Sequence, residues 1–259
     1  MSRKLDFICI GATKAGTTSL FYYLTEHDDV YLPSRKEVFF FDLNEEKSWD
    51  TFYEENFLNA TEDQLIGKFA PRYSRDPAIG DLLNNHNPEL KIIYLVRNPV
   101  YRAFSHYRML YRLGREHRNF SDLIIDQLEE ANIEKCRKSN MSGEFSLLTQ
   151  GEYGRITELL LRNFNRDQLL ILPSDQLESE PELALKKIYD FLNISVIYPA
   201  NINKKYHVGG DKARYKWLYP LLKALVLPQL LWKFLNKNLR KKIILWYNTS
   251  LRISKKKTI

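Results

Sequence analysis

Phe7-Ile8-Cys9-Ile10-Gly11-Ala12-Thr13-Lys14-Ala15-Gly16-Thr17-Thr18-Ser19-Leu20 begins as an apolar run, breaks into a loop bounded by two glycines, and continues as a helical pattern. The run, residues 5 to 10, reads as a buried strand. Leu20, Tyr23 and Leu24 recur at helical spacing, so the spacing predicts a helix over residues 17 to 26. Strand, tight loop and helix N-terminus in that order aim backbone N–H groups and the positive end of the helix dipole at one point, which suits an anion. Gly11 and Gly16 keep the G-x-x-x-x-G spacing of a P-loop, yet Thr17 stands where the lysine should follow, and the lysine lies inside the loop at Lys14. A nucleoside triphosphatase needs that following lysine on the β- and γ-phosphates and a metal-holding acid at a later strand end. The loop is therefore expected to take some other phosphate-bearing ligand. Its plain alternative is a glycine turn that binds nothing.

Working outward, residues 65 to 69, 91 to 96 and 168 to 172 are further strand candidates, and residue 31 begins a short extended piece stopped by Pro33. Helical patterns cover residues 77 to 85, 119 to 138, 151 to 161 and 181 to 192, the last with proline at its start. Residues 43 to 63 are acidic and aromatic, an irregular or helical excursion. Strands alternating with helices predict an α/β fold: a P-loop-like parallel sheet flanked by helices on both faces, with ligands at the strands' carboxyl ends.

Two more stretches carry chemistry. The strand at 91 to 96 runs into Arg97-Asn98-Pro99, where a magnesium-dependent P-loop enzyme would carry an acid. Ser105 lies eight residues on, about two helical turns, so Arg97 and Ser105 reach one phosphate if the turn between them folds back. The alternative is a helix with a solvated basic face, formed by Arg102, Arg108 and Arg112. Lys36-Glu37-Val38-Phe39-Phe40-Phe41-Asp42 sets a charged pair before four apolar residues and an acid. It reads either as a charged turn before a core segment or as a glutamate brought to the phosphate loop.

The 259 residues are 44% hydrophobic and 27% charged, ordinary for one α/β domain with a large core. Two cysteines, Cys9 and Cys136, cannot build a disulfide framework or a cysteine metal cluster, which fits a reducing compartment. The first strand begins within a few residues of Met1, so neither signal peptide nor anchoring helix is expected and the protein reads as cytoplasmic. The net charge of +7 is uneven: no acid follows Asp211, and 13 of the 39 Lys and Arg lie beyond it. The division expected is a domain over residues 1 to 211 and a basic helical extension over residues 212 to 259. Three of the four tryptophans lie in that extension among leucines and lysines, without a run of the roughly 20 apolar residues that span a bilayer. It suits packing on the domain or peripheral contact with an anionic inner membrane face better than nucleic acid, which is not expected as a partner.

Taken together, these stretches resemble the sulfotransferases that use 3′-phosphoadenosine 5′-phosphosulfate (PAPS), in particular the heparan-sulfate-type and bacterial carbohydrate branch. The resemblance covers roughly the first 195 residues. Residues 11 to 19 are similar to the family's 5′-phosphosulfate loop, with Lys at Lys14 and Gly-Thr-Thr at Gly16, Thr17 and Thr18. The block from Lys36 to Asp42 looks like the family's Lys-Glu-x-x-Phe-Phe-Asp, whose glutamate is the catalytic base. Residues 95 to 105 resemble the 3′-phosphate segment, held by the arginine at Arg97 and the serine at Ser105. The sequence departs from the family at two points. A histidine common in animal members is Phe39, and a lysine some members carry two residues before the proline is Phe69, with Lys68 one place off. In a strand such a shift points to the other face. Residues 204 to 214 stand where the family closes a lysine-containing loop over the nucleotide.

The resemblance implies Glu37 and Lys14 as catalytic residues. It implies donor binding by Lys14, Ala15, Gly16, Thr17, Thr18, Ser19, Arg97 and Ser105, with Lys212 and Arg214 from the late loop. Asp42, Lys36 and Lys68 are implied on the acceptor side. PAPS is the implied co-substrate, no metal is implied, and the acceptor is a hydroxyl of a carbohydrate, a glycolipid or another small alcohol. Two rivals remain at this point: a P-loop small-molecule kinase, against which Thr17 and Arg97 speak, and a non-catalytic nucleotide-binding module, which would have no use for Glu37.

Overall fold

The computed structural model describes residues 2–38, 40–41, 48–138, 146–202, 204 and 206. Five parallel strands form one sheet in the order β2-β3-β1-β4-β5: β1 (Phe7–Gly11), β2 (Val30–Tyr31), β3 (Leu65–Phe69), β4 (Lys91–Val96) and β5 (Leu169–Pro173). The helices are α1 (Thr17–Thr25), α2 (Trp49–Phe57), α3 (Ile79–His86), α4 (Pro99–Arg112), α5 (Phe120–Leu128), α6 (Glu130–Lys138), α7 (Tyr153–Leu160), α8 (Ser174–Ser179) and α9 (Pro181–Leu192). The expected P-loop-like α/β fold with a parallel sheet is the fold observed.

β1 is central and all five of its residues are buried, which is why it reads as an unbroken apolar run rather than an alternation. From β1 the chain crosses to β2 and returns through β3 on one side, then passes to β4 and β5 on the other. The carboxyl ends of β1 and β4 therefore flank the point where the strand order reverses, the crevice at which open α/β sheets bind ligands. The loop from Gly11 to Gly16 leaves β1 there, and Arg97 leaves β4 there.

Opposite Phe7 the sheet carries Gly67, and a Cβ at that glycine would lie 2.1 Å from the Phe7 ring. The ring fills the space a side chain would need. Gly67→Ala is expected to cost about 1–3 kcal/mol through overpacking, read as a thermal midpoint lowered by several degrees. An unchanged midpoint would mean that the ring turns aside freely.

Several boundaries differ from the sequence reading. The helix expected over residues 119 to 138 is two, α5 and α6, because Glu129 is extended (φ −61°, ψ 129°). The Asp126 carbonyl accepts from Glu129 N at 3.4 Å and from Asn132 Nδ2 at 2.8 Å, which closes the end of α5. The helix expected from residue 77 begins at Ile79, since the Asp76 carboxylate accepts from Ala78 N at 2.9 Å and closes a turn that leaves Pro77 outside.

The chain divides into two units. One comprises Met1–His106 with Asn119–His207 and holds the whole sheet. The other comprises Tyr107–Arg118 with Val208–Ile259. Of the second, the described part is Tyr107–Arg118, where Arg118 pairs with the Glu116 carboxylate at 2.9 Å and, with backbone N–H groups, holds its pKa down at about 2. The basic extension over residues 212 to 259, with its membrane reading, lies outside the described residues. Among the described residues no helix is long and apolar enough to cross a membrane.

Candidate active site

At the end of β1 the loop turns on two left-handed residues. Gly16 (φ 86°) precedes the first turn of α1, and Lys14 (φ 73°) takes the same region without being a glycine, a conformation that costs about 1 kcal/mol or more. Ala15 N donates to the Ala12 carbonyl at 3.0 Å, and Ser19 N and Leu20 N donate to Gly16 O. These bonds close the turn and start the helix. Ala15 and Thr17 are buried, while Lys14, Thr18 and Ser19 are half-buried.

Arg97 joins this loop directly, its Nη1 donating to the Lys14 carbonyl at 3.2 Å. Its own backbone is gripped by Tyr153, at the start of α7. The phenol donates to Arg97 O at 2.7 Å and accepts from Arg97 N at 3.3 Å. Ser105 is half-buried on α4, further along from the same strand end.

The segment before α2 brings the third element. Glu37 is half-exposed and accepts from Lys36 Nζ at 3.1 Å, and the same ammonium donates to Thr17 Oγ1 at 3.1 Å. The glutamate of the Lys-Glu block is thus linked through Lys36 to the first residue of α1. Behind it, the phenol oxygen of Tyr73 accepts from Phe40 N (3.3 Å), Phe41 N (3.1 Å) and Lys68 Nζ (2.6 Å).

Lys68, implied on the acceptor side, is fully buried. Its ammonium lies 4.5 Å from the Tyr73 ring centre, with Phe41 and Phe52 at 5.3 and 5.4 Å. The one-place shift turns Lys68 to the other face of β3, and that face is buried too. Lys68 therefore faces the aromatic interior and supports the block through Tyr73.

Arg102 corrects the picture of a solvated basic face on α4, because it is completely buried. It donates through Nη2 to the Leu147 carbonyl, and its Nε and Nη1 meet no acceptor among the described residues. Burial lowers its pKa, while the neighbouring Tyr153 and Tyr94 oxygens oppose that. Near it, His106 has its pKa pushed down to about 3 by burial and then by the charges of Arg102, Lys14 and Arg75. Burial is the main reason this histidine stays neutral, and the charges of Arg102, Lys14 and Arg75 act in the same direction. Cys9, by contrast, has its thiol pushed up to about 12 by burial and is chemically inert.

Ser19 Oγ accepts from Tyr206 N at 3.3 Å, Tyr206 stacks on Tyr22 with ring centres 4.4 Å apart, and Tyr23 donates to Lys204 O at 3.0 Å. Chain around residue 206 is thereby pinned to α1. Asp42, Lys212 and Arg214 lie outside the described residues. Sequence reasoning missed Tyr153 and Tyr73 as supports. Each was visible as a tyrosine next to a glycine- or proline-marked boundary, but the backbone each one holds is remote in sequence.

The family model described as sulfotransferase domain matches residues 4–205. The chain is 27% identical over 190 residues to heparan sulfate glucosamine 3-O-sulfotransferase 3A1 of Mus musculus, covering 73% of this chain and 46% of that protein. It is 34% identical over 104 residues to the membrane-associated sulfotransferase kil1 of Dictyostelium discoideum, covering 39% of this chain and 22% of the other. The chain thus spans less than half the length of these relatives. Among solved structures, a sulfotransferase from Alicyclobacillus acidocaldarius superposes with a TM-score of 0.67 at 24% identity, covering 79% of this chain and 87% of that one, a likeness of fold.

Proposed function

The chain belongs to the sulfotransferase domain family, and from that premise we propose that it moves a sulfuryl group from PAPS to an acceptor hydroxyl and releases adenosine 3′,5′-bisphosphate. The observation that carries this reading is the 3.2 Å contact between Arg97 Nη1 and the Lys14 carbonyl. It draws together two phosphate-type elements 83 residues apart at the reversal of the strand order.

In this reading the loop N–H groups with Thr17 and Thr18 hold the 5′-phosphate, and Arg97 with Ser105 holds the 3′-phosphate. The acceptor oxygen attacks sulfur in line. A new O–S bond forms as the S–O bond to the 5′-phosphate breaks, and the electron pair of that bond leaves on the phosphate oxygen, where Lys14 offsets the charge. The hydroxyl proton passes to the carboxylate of Glu37. No residue role in this scheme calls for a metal.

For the acceptor we favour a carbohydrate or glycolipid hydroxyl. The heparan sulfate glucosamine named for the mouse relative supports that choice. Peripheral contact with an anionic membrane through the basic extension, on the cytoplasmic side, is the partner reading that accompanies it. The word membrane-associated in the name of the Dictyostelium relative supports it.

Thermal shift tests the donor assignment. Adenosine 3′,5′-bisphosphate is expected to raise the midpoint well above the rise produced by ATP at equal concentration, because a ligand stabilises by its affinity for the folded state. Equal shifts would count against the 3′-phosphate roles of Arg97 and Ser105. Transfer of labelled sulfate from PAPS to fractionated glycan and lipid extracts then identifies the acceptor class.

A further inference from the structure

The proposed reaction sets two anions against each other. A carboxylate base and the sulfuryl oxygens of the donor must approach the same acceptor oxygen from opposite sides, and in a partly dehydrated crevice their repulsion adds to the barrier unless a cation stands between them. In the scheme above Lys14 answers the charge on the leaving phosphate and leaves the sulfuryl oxygens to another cation.

Lys36 occupies the position between. Its Nζ is 3.1 Å from Glu37 Oε1 and 3.1 Å from Thr17 Oγ1, so one ammonium touches the base and the first residue of the helix that ends the phosphate loop. The preceding Ser34 and Arg35 are exposed, whereas the Lys36 side chain folds inward to 18% exposure. A half-exposed ion pair of this kind stabilises a fold by about 0–1 kcal/mol, too little to explain why the lysine turns in and its neighbour does not. An ammonium has three N–H donors, and these two contacts use two of them.

We infer that Lys36 is a catalytic cation of this site rather than an acceptor-side contact: it donates to the non-bridging sulfuryl oxygens of the donor while keeping Glu37 Oε1 as its second partner. The inference rests on the sulfuryl-transfer reading above. During transfer the ammonium keeps its proton, and the acceptor proton goes to Glu37. As the O–S bond forms and the bond to the 5′-phosphate breaks, Lys36 travels with neither fragment and stabilises the charge on the sulfuryl oxygens. Lys14 and Lys36 then divide the work, one on the leaving oxygen and one on the group in flight.

PAPS and adenosine 3′,5′-bisphosphate differ only by the sulfuryl group, so their affinities separate this role from a structural one. In equilibrium binding without acceptor, Lys36→Ala is expected to weaken PAPS about tenfold or more, the weight of one charge-assisted hydrogen bond. Binding of adenosine 3′,5′-bisphosphate should change by less than about twofold. In turnover, kcat should fall by about 10²-fold and Lys36→Arg should restore part of it. Parallel weakening of both nucleotides would overturn the inference, since Lys36 would then act only by holding Thr17 and the loop. So would unchanged PAPS binding with unchanged kcat. If the unaltered protein binds neither nucleotide, the donor reading itself fails and takes this inference with it.

Discussion

Glu37→Gln is expected to lower kcat by about 10²–10⁴-fold, the usual weight of a general base. The substitution suits the question because the amide oxygen still accepts the bond from Lys36 Nζ now recorded at 3.1 Å, while the side chain can no longer take a proton. Its side chain is 42% exposed, so the fold has little to lose, and the thermal midpoint should stay within about a degree. Affinity for adenosine 3′,5′-bisphosphate should be unchanged, because the proposed scheme gives Glu37 the acceptor proton and no contact with the nucleotide. A variant that keeps more than a tenth of the parent kcat would remove Glu37 from the role of base. A variant that loses nucleotide affinity in proportion to kcat would make Glu37 a support for the loop.

The position of that glutamate shows how far the sequence can be read. The Lys-Glu block is visible as a motif, and so is the loop from Gly11 to Gly16, because each is local: charge pairs, glycines and apolar runs within a few residues. β1 and β4 are legible for the same reason, as continuous apolar runs between turn signals. The joins between these pieces are not local. Tyr73 supports the block by accepting from Phe40 N and Phe41 N, more than 30 positions away, and Tyr153 grips Arg97 across 56. No spacing rule connects such residues, since the sheet order that brings them together is a property of the whole chain.

Burial misleads in the same way. Arg102 lies on α4 with Arg108 and Arg112, and from sequence it belongs to one basic face, yet it alone of these three is completely buried. Lys68 falls in a strand one place from the expected lysine, and a simple alternation sends it to the opposite face. In a sheet covered on both sides the opposite face is also interior, and the ammonium lies among the rings of Tyr73, Phe41 and Phe52 and donates to the Tyr73 phenol. Composition says how many cations a chain has, whereas packing decides which of them a ligand can meet.

Lys14 is the residue where local and global readings agree, and its removal should be nearly as costly as that of Glu37. It holds a left-handed backbone at φ 73° in a loop whose carbonyl is taken by Arg97, so its direction is determined from two sides. A bulky residue kept in that region marks a position where the surroundings override the local preference, and here the surroundings are the turn after β1 and the Arg97 guanidinium. Lys14→Ala keeps the same backbone demand and removes the ammonium together with the aliphatic stem that carries it. If that ammonium stabilises the charge appearing on the leaving phosphate oxygen, the loss is greatest in the transition state, and kcat should fall by about 10²–10³-fold. KM for PAPS should rise much less, because the bridging oxygen of the bound donor carries little of that charge. The split between the two constants is the measurement that matters. A rise in KM with kcat within about fivefold of the parent would mean that Lys14 contributes ground-state binding alone, and the leaving-group role would have to pass to another cation of the cradle. Lys14→Arg discriminates further: a longer planar guanidinium in a turn this tight should restore charge without restoring position, and so recover affinity before it recovers rate.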